Sequence, residues 1–155
     1  MLETGDHAPE FQLADANGVC RDSRTLAGGG RALFVFYKAS CPVCQLTLPF
    51  LDRLAHRSTL PVVFIAQDDP KVAARFNQQF GIFAAITLFD DKRYTVSNSF
   101  GIVSVPSIFL IEETGIIARA WAGFSREEMK ALSEDAGQSI FTAEEMTRVP
   151  LYKPG

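Results

Sequence analysis

The chain predicts a single α/β domain: a central mixed β-sheet flanked by helices, with an N-terminal β-hairpin and a short C-terminal extension. Three observations carry this expectation. Short apolar runs at residues 32–37, 61–66 and 85–89 alternate with segments of helical spacing, the order that sets parallel strands between helices. Two later runs, 105–111 and 116–121, are separated by a turn at Glu113, Thr114 and Gly115 and so return as an antiparallel pair. Finally, 155 residues of which 47% are hydrophobic suffice for one core, and no second domain is required. Residues 1–137 hold the domain's elements, and residues 138–155 form an extension expected to pack on the same domain.

The elements follow in order. Phe11 to Leu13 and Val19 to Arg21 flank Asn17-Gly18, a tight-turn signal, and make the hairpin. A break at Gly28, Gly29 and Gly30 precedes Ala32 to Tyr37, a continuous apolar run that reads as a buried central strand. From Pro42 to Arg57 the residues Val43, Leu46, Leu48, Phe50, Leu51 and Leu54 keep helical spacing, and Pro49 inside it predicts a kink. Pro61 to Ala66 is the next strand. Asp69-Pro70 opens a helix that runs to Phe80 and closes at Gly81. A strand at Ala85 to Phe89 and a short helix near Tyr94 to Phe100 lead to the hairpin begun by Val105-Pro106. Ser125 to Glu128 matches a capping box for the last core helix, closed by Gly137, and Thr142 to Glu145 is a weaker match that starts a short appended helix.

Charge excludes some functions. A net charge of -3 and the lack of any basic run give nothing to track phosphates, so no nucleic-acid partner is expected. No apolar stretch is long enough to span a bilayer, and the first residues lack the pattern of a secretory signal. The chain therefore reads as cytoplasmic, although one whose leader or membrane anchor had been removed would read the same way.

The chemistry concentrates where the central strand ends, at Cys41, Pro42, Val43 and Cys44. Two cysteines three apart on the first turn of a helix can close a disulfide, and the helix N-terminal field favours the thiolate of the leading one. With Cys41 as N-cap its sulfur would face the N–H groups of Val43 and Cys44, while Pro42 at the first helical position sacrifices no useful donor. Cys41 is then the expected nucleophile and Cys44 the residue that attacks the mixed disulfide. Pro42 and Val43 would tune the redox poise. Lys38 either lowers the Cys41 pKa as a nearby cation or points into water. No metal and no cofactor are expected, because a second Cys/His pair at zinc spacing is missing. Cys20 reads as a small strand residue, His7 and His56 have no ligand-spaced partners, and Trp121 reads as core. Asp68 and Asp69 fall near the site, with helix capping accounting for Asp69.

Taken in order, Gly5 to Phe11 (Gly-x-x-Ala-Pro-x-Phe), the Cys41–Cys44 motif after a strand, Pro49 and Val105-Pro106 resemble the thioredoxin fold. The similarity is greatest to the branch shared by TlpA/ResA-like thiol-disulfide oxidoreductases and AhpC/TSA peroxiredoxin-related proteins, and it covers Gly5 to Gly137. It implies a thioredoxin-like sheet, a cis bond before Pro106, and a Val105 backbone that contacts a bound substrate chain. Partners would be a disulfide-containing protein or a small thiol substrate, and an electron donor. The chain also departs from the family. Ser40 stands where many members have Trp, Ser107 where they have Thr, and Val35 where thioredoxin has a buried Asp. Lys38 and Phe34 occupy the positions of the peroxidase branch's Thr and Pro. The expected function is thiol-disulfide exchange. The rivals are a thiol peroxidase with Cys41 peroxidatic and Cys44 resolving, and a non-enzymatic module in which the cysteines of two chains share a metal or iron-sulfur cluster.

Overall fold

Why the central strand carries no charged residue is answered by its position. In the computed structural model, which describes residues 1–155, β1 (Gln12–Asp15) and β2 (Cys20–Asp22) form the hairpin, and α1 (Ser23–Ala27) leads to β3 (Ala32–Tyr37). Next come α2 (Pro42–Arg57), β4 (Val62–Ala66), α3 (Pro70–Phe80), β5 (Ile86–Phe89) and α4 (Thr95–Ser99). The second half contains β6 (Ser107–Ile111), β7 (Ile117–Ala122), β8 (Phe124–Ser125), α5 (Arg126–Ala136), α6 (Ala143–Arg148) and β9 (Tyr152–Lys153). The main sheet has seven strands in the order β2-β1-β5-β4-β3-β6-β7, with β3, β4 and β5 mutually parallel and the remaining neighbours antiparallel.

Strand β3 sits between β4 and β6, and both its faces are covered. Leu33, Val35 and Tyr37 point into a core shared with Cys44, Leu48, Leu51 and Leu54 of α2. Ala32, Phe34 and Phe36 point the other way, against Phe11, Phe100 and Phe109, whose rings meet edge-on or tilted at 5.0–6.2 Å. A strand in this position must be apolar on alternate and intervening residues alike.

Several local expectations need correcting. Helix α1 has no counterpart in the sequence reading: it is five residues long, too short for a periodic signal, and is held by the Asp22 carboxylate accepting from the Arg24 and Thr25 N–H groups. Helix α2 runs from Pro42 to Arg57 with Pro49 in its interior, as expected. The two capping motifs exchange rank. Ser125 accepts from the Glu128 N–H, but the Glu128 carboxylate turns to Arg119, at 3.3 Å, instead of returning to the cap. Thr142 and Glu145 form the reciprocal box in full.

The extension is anchored at three places. Ile140 and Phe141 are buried in the α2 core, Phe141 stacking on Phe50 at 4.8 Å. Arg53 of α2 grips both Glu145 oxygens, at 2.6 and 3.1 Å, and the Ile140 carbonyl at 2.8 Å. Beyond α6 the chain returns as β9 and pairs antiparallel with β8.

Candidate active site

The β3 strand delivers its C-terminal end to a turn that is clamped from two sides. The Ala39 N–H donates to Asp68 Oδ2 at 2.7 Å, and Gln45 Nε2 donates to the Ala39 carbonyl at 3.0 Å. The turn then feeds α2, whose N-cap is Cys41 with extended backbone (φ -81°, ψ 114°) and whose first residue is Pro42. Cys41 Sγ accepts the Cys44 N–H at 3.1 Å, one of the donors every helix start leaves unpaired. The sulfur does not also engage the Val43 N–H, so the cap is narrower than expected.

The second wall comes from the other side of β3. Ser107 of β6 pairs with Phe36, and the preceding Val105-Pro106 bond is cis. The Ser107 hydroxyl donates to the Ser104 carbonyl at 2.8 Å, and the Gly123 N–H donates to the Pro106 carbonyl at 2.8 Å. Held this way, the Val105 carbonyl accepts from the Cys41 thiol at 3.3 Å. Neither the N–H nor the carbonyl of Val105 enters a backbone hydrogen bond.

The two thiols, both free, occupy different environments. Cys41 is partly exposed, whereas Cys44 is fully buried among Tyr37, Leu48 and the β-sheet. Burial pushes the Cys44 thiol well above the ordinary thiol range; its hydrogen bond with Cys41 and the negative charge of Asp68 act in the same direction, and the Lys38 backbone amide opposes them. The Tyr37 phenol is raised likewise, first by burial and then by Asp68 and Cys44, and its buried hydroxyl has no hydrogen-bond partner. This difference in access, with the Cys44 thiol held protonated by burial, suits an ordered two-step exchange: one thiol meets the substrate and the other acts only after the first has reacted.

The remaining residues sort themselves by position. The Lys38 ammonium lies over the Tyr94 ring, 5.2 Å from its centroid, so its side chain is not free in bulk water. Cys20 is exposed on β2, four strands from β3, with its sulfur 3.8 Å from the Gln12 amide oxygen. His56 stacks on Phe83 at 5.9 Å, and His7 bridges to Ile116. No group of three or more His, Cys, Asp or Glu side chains is gathered to hold a metal. A cluster shared by two chains would require the buried Cys44 to be uncovered.

Asp68 is the residue that sequence reasoning left without a role. Tyr37 pairs in parallel with Ala66, so two residues further on Asp68 lies beside Ala39. The strand register alone could have found it. It brings a carboxylate to the thiol pair from β4, where thioredoxin's buried acid would have come from the position of Val35. Asp52, also unanticipated, lies further along α2, where its buried carboxylate accepts from the N–H groups of Phe83, Ala84 and Ala85.

A thioredoxin-type sheet with a capped, partly exposed thiol one helical turn before a buried thiol defines a thiol-disulfide oxidoreductase. The chain belongs to the AhpC/TSA family, which it matches over residues 4–120. Among curated proteins it is 26% identical over 135 residues to the thiol-disulfide oxidoreductase ResA of Geobacillus thermodenitrificans, covering 83% of this chain and 75% of that one. It is 30% identical over 142 residues to the methylamine utilization protein MauD of Paracoccus versutus, covering 85% of this chain and 65% of MauD. Among solved structures, the thioredoxin domain of a thiol-disulfide oxidoreductase from Bacteroides vulgatus superposes with a TM-score of 0.76 at 18% identity, over 88% of this chain and 99% of that domain. At that identity the match establishes the fold.

Proposed function

We propose that the chain performs dithiol-disulfide exchange with Cys41 as nucleophile, Cys44 as resolving thiol, and the Val105-Pro106 backbone as the edge on which a substrate rests. The observation that carries this reading is the Cys41 sulfur, which is partly exposed while held 3.1 Å from the Cys44 N–H and 3.3 Å from the Val105 carbonyl. The Cys41 thiolate attacks one sulfur of a substrate disulfide, breaking that S–S bond and forming a mixed disulfide; the departing sulfur takes up a proton. Cys44, once deprotonated, attacks the Cys41 sulfur, closes the internal disulfide and releases the second substrate thiol. Two electrons pass to the substrate. A dithiol reductant supplies them back for another cycle. Deprotonation of Cys44 is the demanding step, because burial and the negative charge of Asp68 both favour the protonated thiol. Pro42 and Val43, which separate the thiols, tune the reduction potential.

The substrate is a protein or small-molecule disulfide, and the thiol-disulfide oxidoreductases among the relatives support that class. No helix is long and apolar enough to cross a membrane. The working compartment, cytoplasmic or exported, belongs to the same proposal. Alkylation-shift assays of the thiol pair in cell fractions separate the two.

Peroxide is the poorer substrate. A peroxidatic thiolate needs a hydroxyl to polarise the O–O bond, and that position holds Lys38, whose ammonium accepts no hydrogen bond and is turned to Tyr94. An absent contact of this kind costs about a hundredfold in rate. Parallel assays with hydrogen peroxide and insulin disulfides decide between the readings. Efficient peroxide turnover with negligible insulin reduction refutes the proposal.

A further inference from the structure

One stretch of chain lies against the thiol site although it contributes nothing to either thiol. Strand β8 starts just past Gly123, whose N–H is bound to the Pro106 carbonyl, so it leaves from beside the substrate edge. Strand β9 pairs with it antiparallel, Phe124 opposite Lys153 and Ser125 opposite Tyr152, and the Arg126 N–H adds a bond to the Leu151 carbonyl at 3.0 Å. The direction of β9 therefore carries the chain back toward Pro106. Gly155 comes to rest on Val105, so closely that a Cβ there would collide with the Val105 carbonyl. This is the carbonyl that accepts from the Cys41 thiol.

We propose that the segment Leu151–Gly155 is a strap that selects among disulfide substrates. The inference rests on the exchange reading above. An extended polypeptide presenting a disulfide to Cys41 must run past Val105, whose N–H and carbonyl make no backbone hydrogen bond, and Gly155 occupies one side of that path. A small disulfide needs only the Cys41 sulfur and passes the strap by. The strap is also built to lift. Leu151 and Tyr152 are 72% and 57% exposed, β9 pairs along one edge only, and no residue of β9 is buried. Short ladders of this kind open locally at far less than the cost of unfolding. Its base stays fixed meanwhile, because Ile140, Phe141 and the Arg53–Glu145 pair hold the preceding segment to α2.

The test is a single turnover with the full chain reduced beforehand and no other reductant present. Each molecule then gives two electrons to one disulfide, and quenching by alkylation counts the thiols left on Cys41 and Cys44. The probes are hydroxyethyl disulfide and insulin. The variants are Gly155→Ala, whose methyl group displaces the chain from Val105, and deletion of residues 151–155. Both variants are expected to speed the reaction with insulin, the deletion about tenfold, and to leave hydroxyethyl disulfide within about twofold of the unaltered protein. An unchanged or slower insulin reaction with hydroxyethyl disulfide intact overturns the strap alone. Rates that rise or fall together for both probes also overturn it. If the unaltered protein reacts with neither disulfide, the exchange reading fails and takes the strap with it. Gly155→Ala keeps the β8–β9 ladder and guards against a deletion that merely unfolds the extension.

Discussion

Replacing Asp52 by Ala removes the acceptor for three backbone donors at once. The side chain is 3% exposed; Oδ1 takes the N–H groups of Ala84 at 2.9 Å and Ala85 at 2.7 Å, and Oδ2 takes that of Phe83 at 3.2 Å. Hydrogen bonds to a charged acceptor contribute about 1.5–3 kcal/mol each, and a buried donor left unpaired costs about 1–3 kcal/mol. Phe83 is 78% exposed, so its N–H regains water, and the loss falls mainly on the other two. The expected destabilisation is about 3–5 kcal/mol, which in a domain of this size lowers the melting temperature by roughly 10 °C. Asp52→Asn keeps the Oδ1 bonds and turns an amide NH2 toward Phe83, so it should cost about 1–2 kcal/mol. Urea titrations of both variants measure these values, and alkylation of Cys41 at 25 °C should be unchanged because the N-cap lies three turns away. A loss below about 1 kcal/mol for Asp52→Ala, or equal losses for the two variants, refutes the assignment of this carboxylate as the tie between α2 and the start of β5.

Two further outcomes follow from the site and the extension. In the reduced protein Cys41 is alkylated before Cys44, and in Cys41→Ser the remaining thiol stays unreactive at neutral pH and gains reactivity only in the alkaline range, because burial raises it. Since the folded Cys44 titrates above the unfolded thiol, its contribution to stability is complete below about pH 9 and declines as pH rises beyond it. Faster labelling of Cys44 than of Cys41 near neutrality refutes this order. For the extension, the Arg53 guanidinium, with the Thr142 N–H, lowers the Glu145 carboxyl from 4.5 to about 2. The stabilisation is present above about pH 4.5 and is lost as pH falls through about 2. Arg53→Ala should cost about 1 kcal/mol, as expected of a partly solvated pair, and should expose residues 142–150 to protease. An unaltered cleavage pattern contradicts it.

How far the sequence carried depended on the range of the interaction concerned. The bounds of β3 and α2 were legible because each is set locally, by an unbroken apolar run and by Pro42 behind an N-cap cysteine. Cys41 and Cys44 came with them. The cis bond at Val105 followed from the family resemblance. Asp52 was illegible for a physical reason: the amides it binds lie 31–33 residues away, and nothing near Asp52 in the chain announces them. The docking of β1 on β5, the place of Asp68 and the return of β9 to the thiol site are likewise products of sheet order. The demotion of the Ser125 box shows the same competition at short range, since Arg119 from β7 captured the Glu128 carboxylate that the motif reserved for the cap.

The placing of β3 in the middle of the sheet also sets a clock. All six of its residues are buried, and β4 and β6 cover its two edges. Its amide hydrogens are expected to reach deuterated solvent mainly when the whole domain opens, whereas those of β9, bonded along one edge and exposed, exchange through local fluctuations. The thiol pair thus follows directly on a backbone shielded from exchange and faces one open to it. An incoming partner would press against a surface that does not yield on one side and gives way readily on the other.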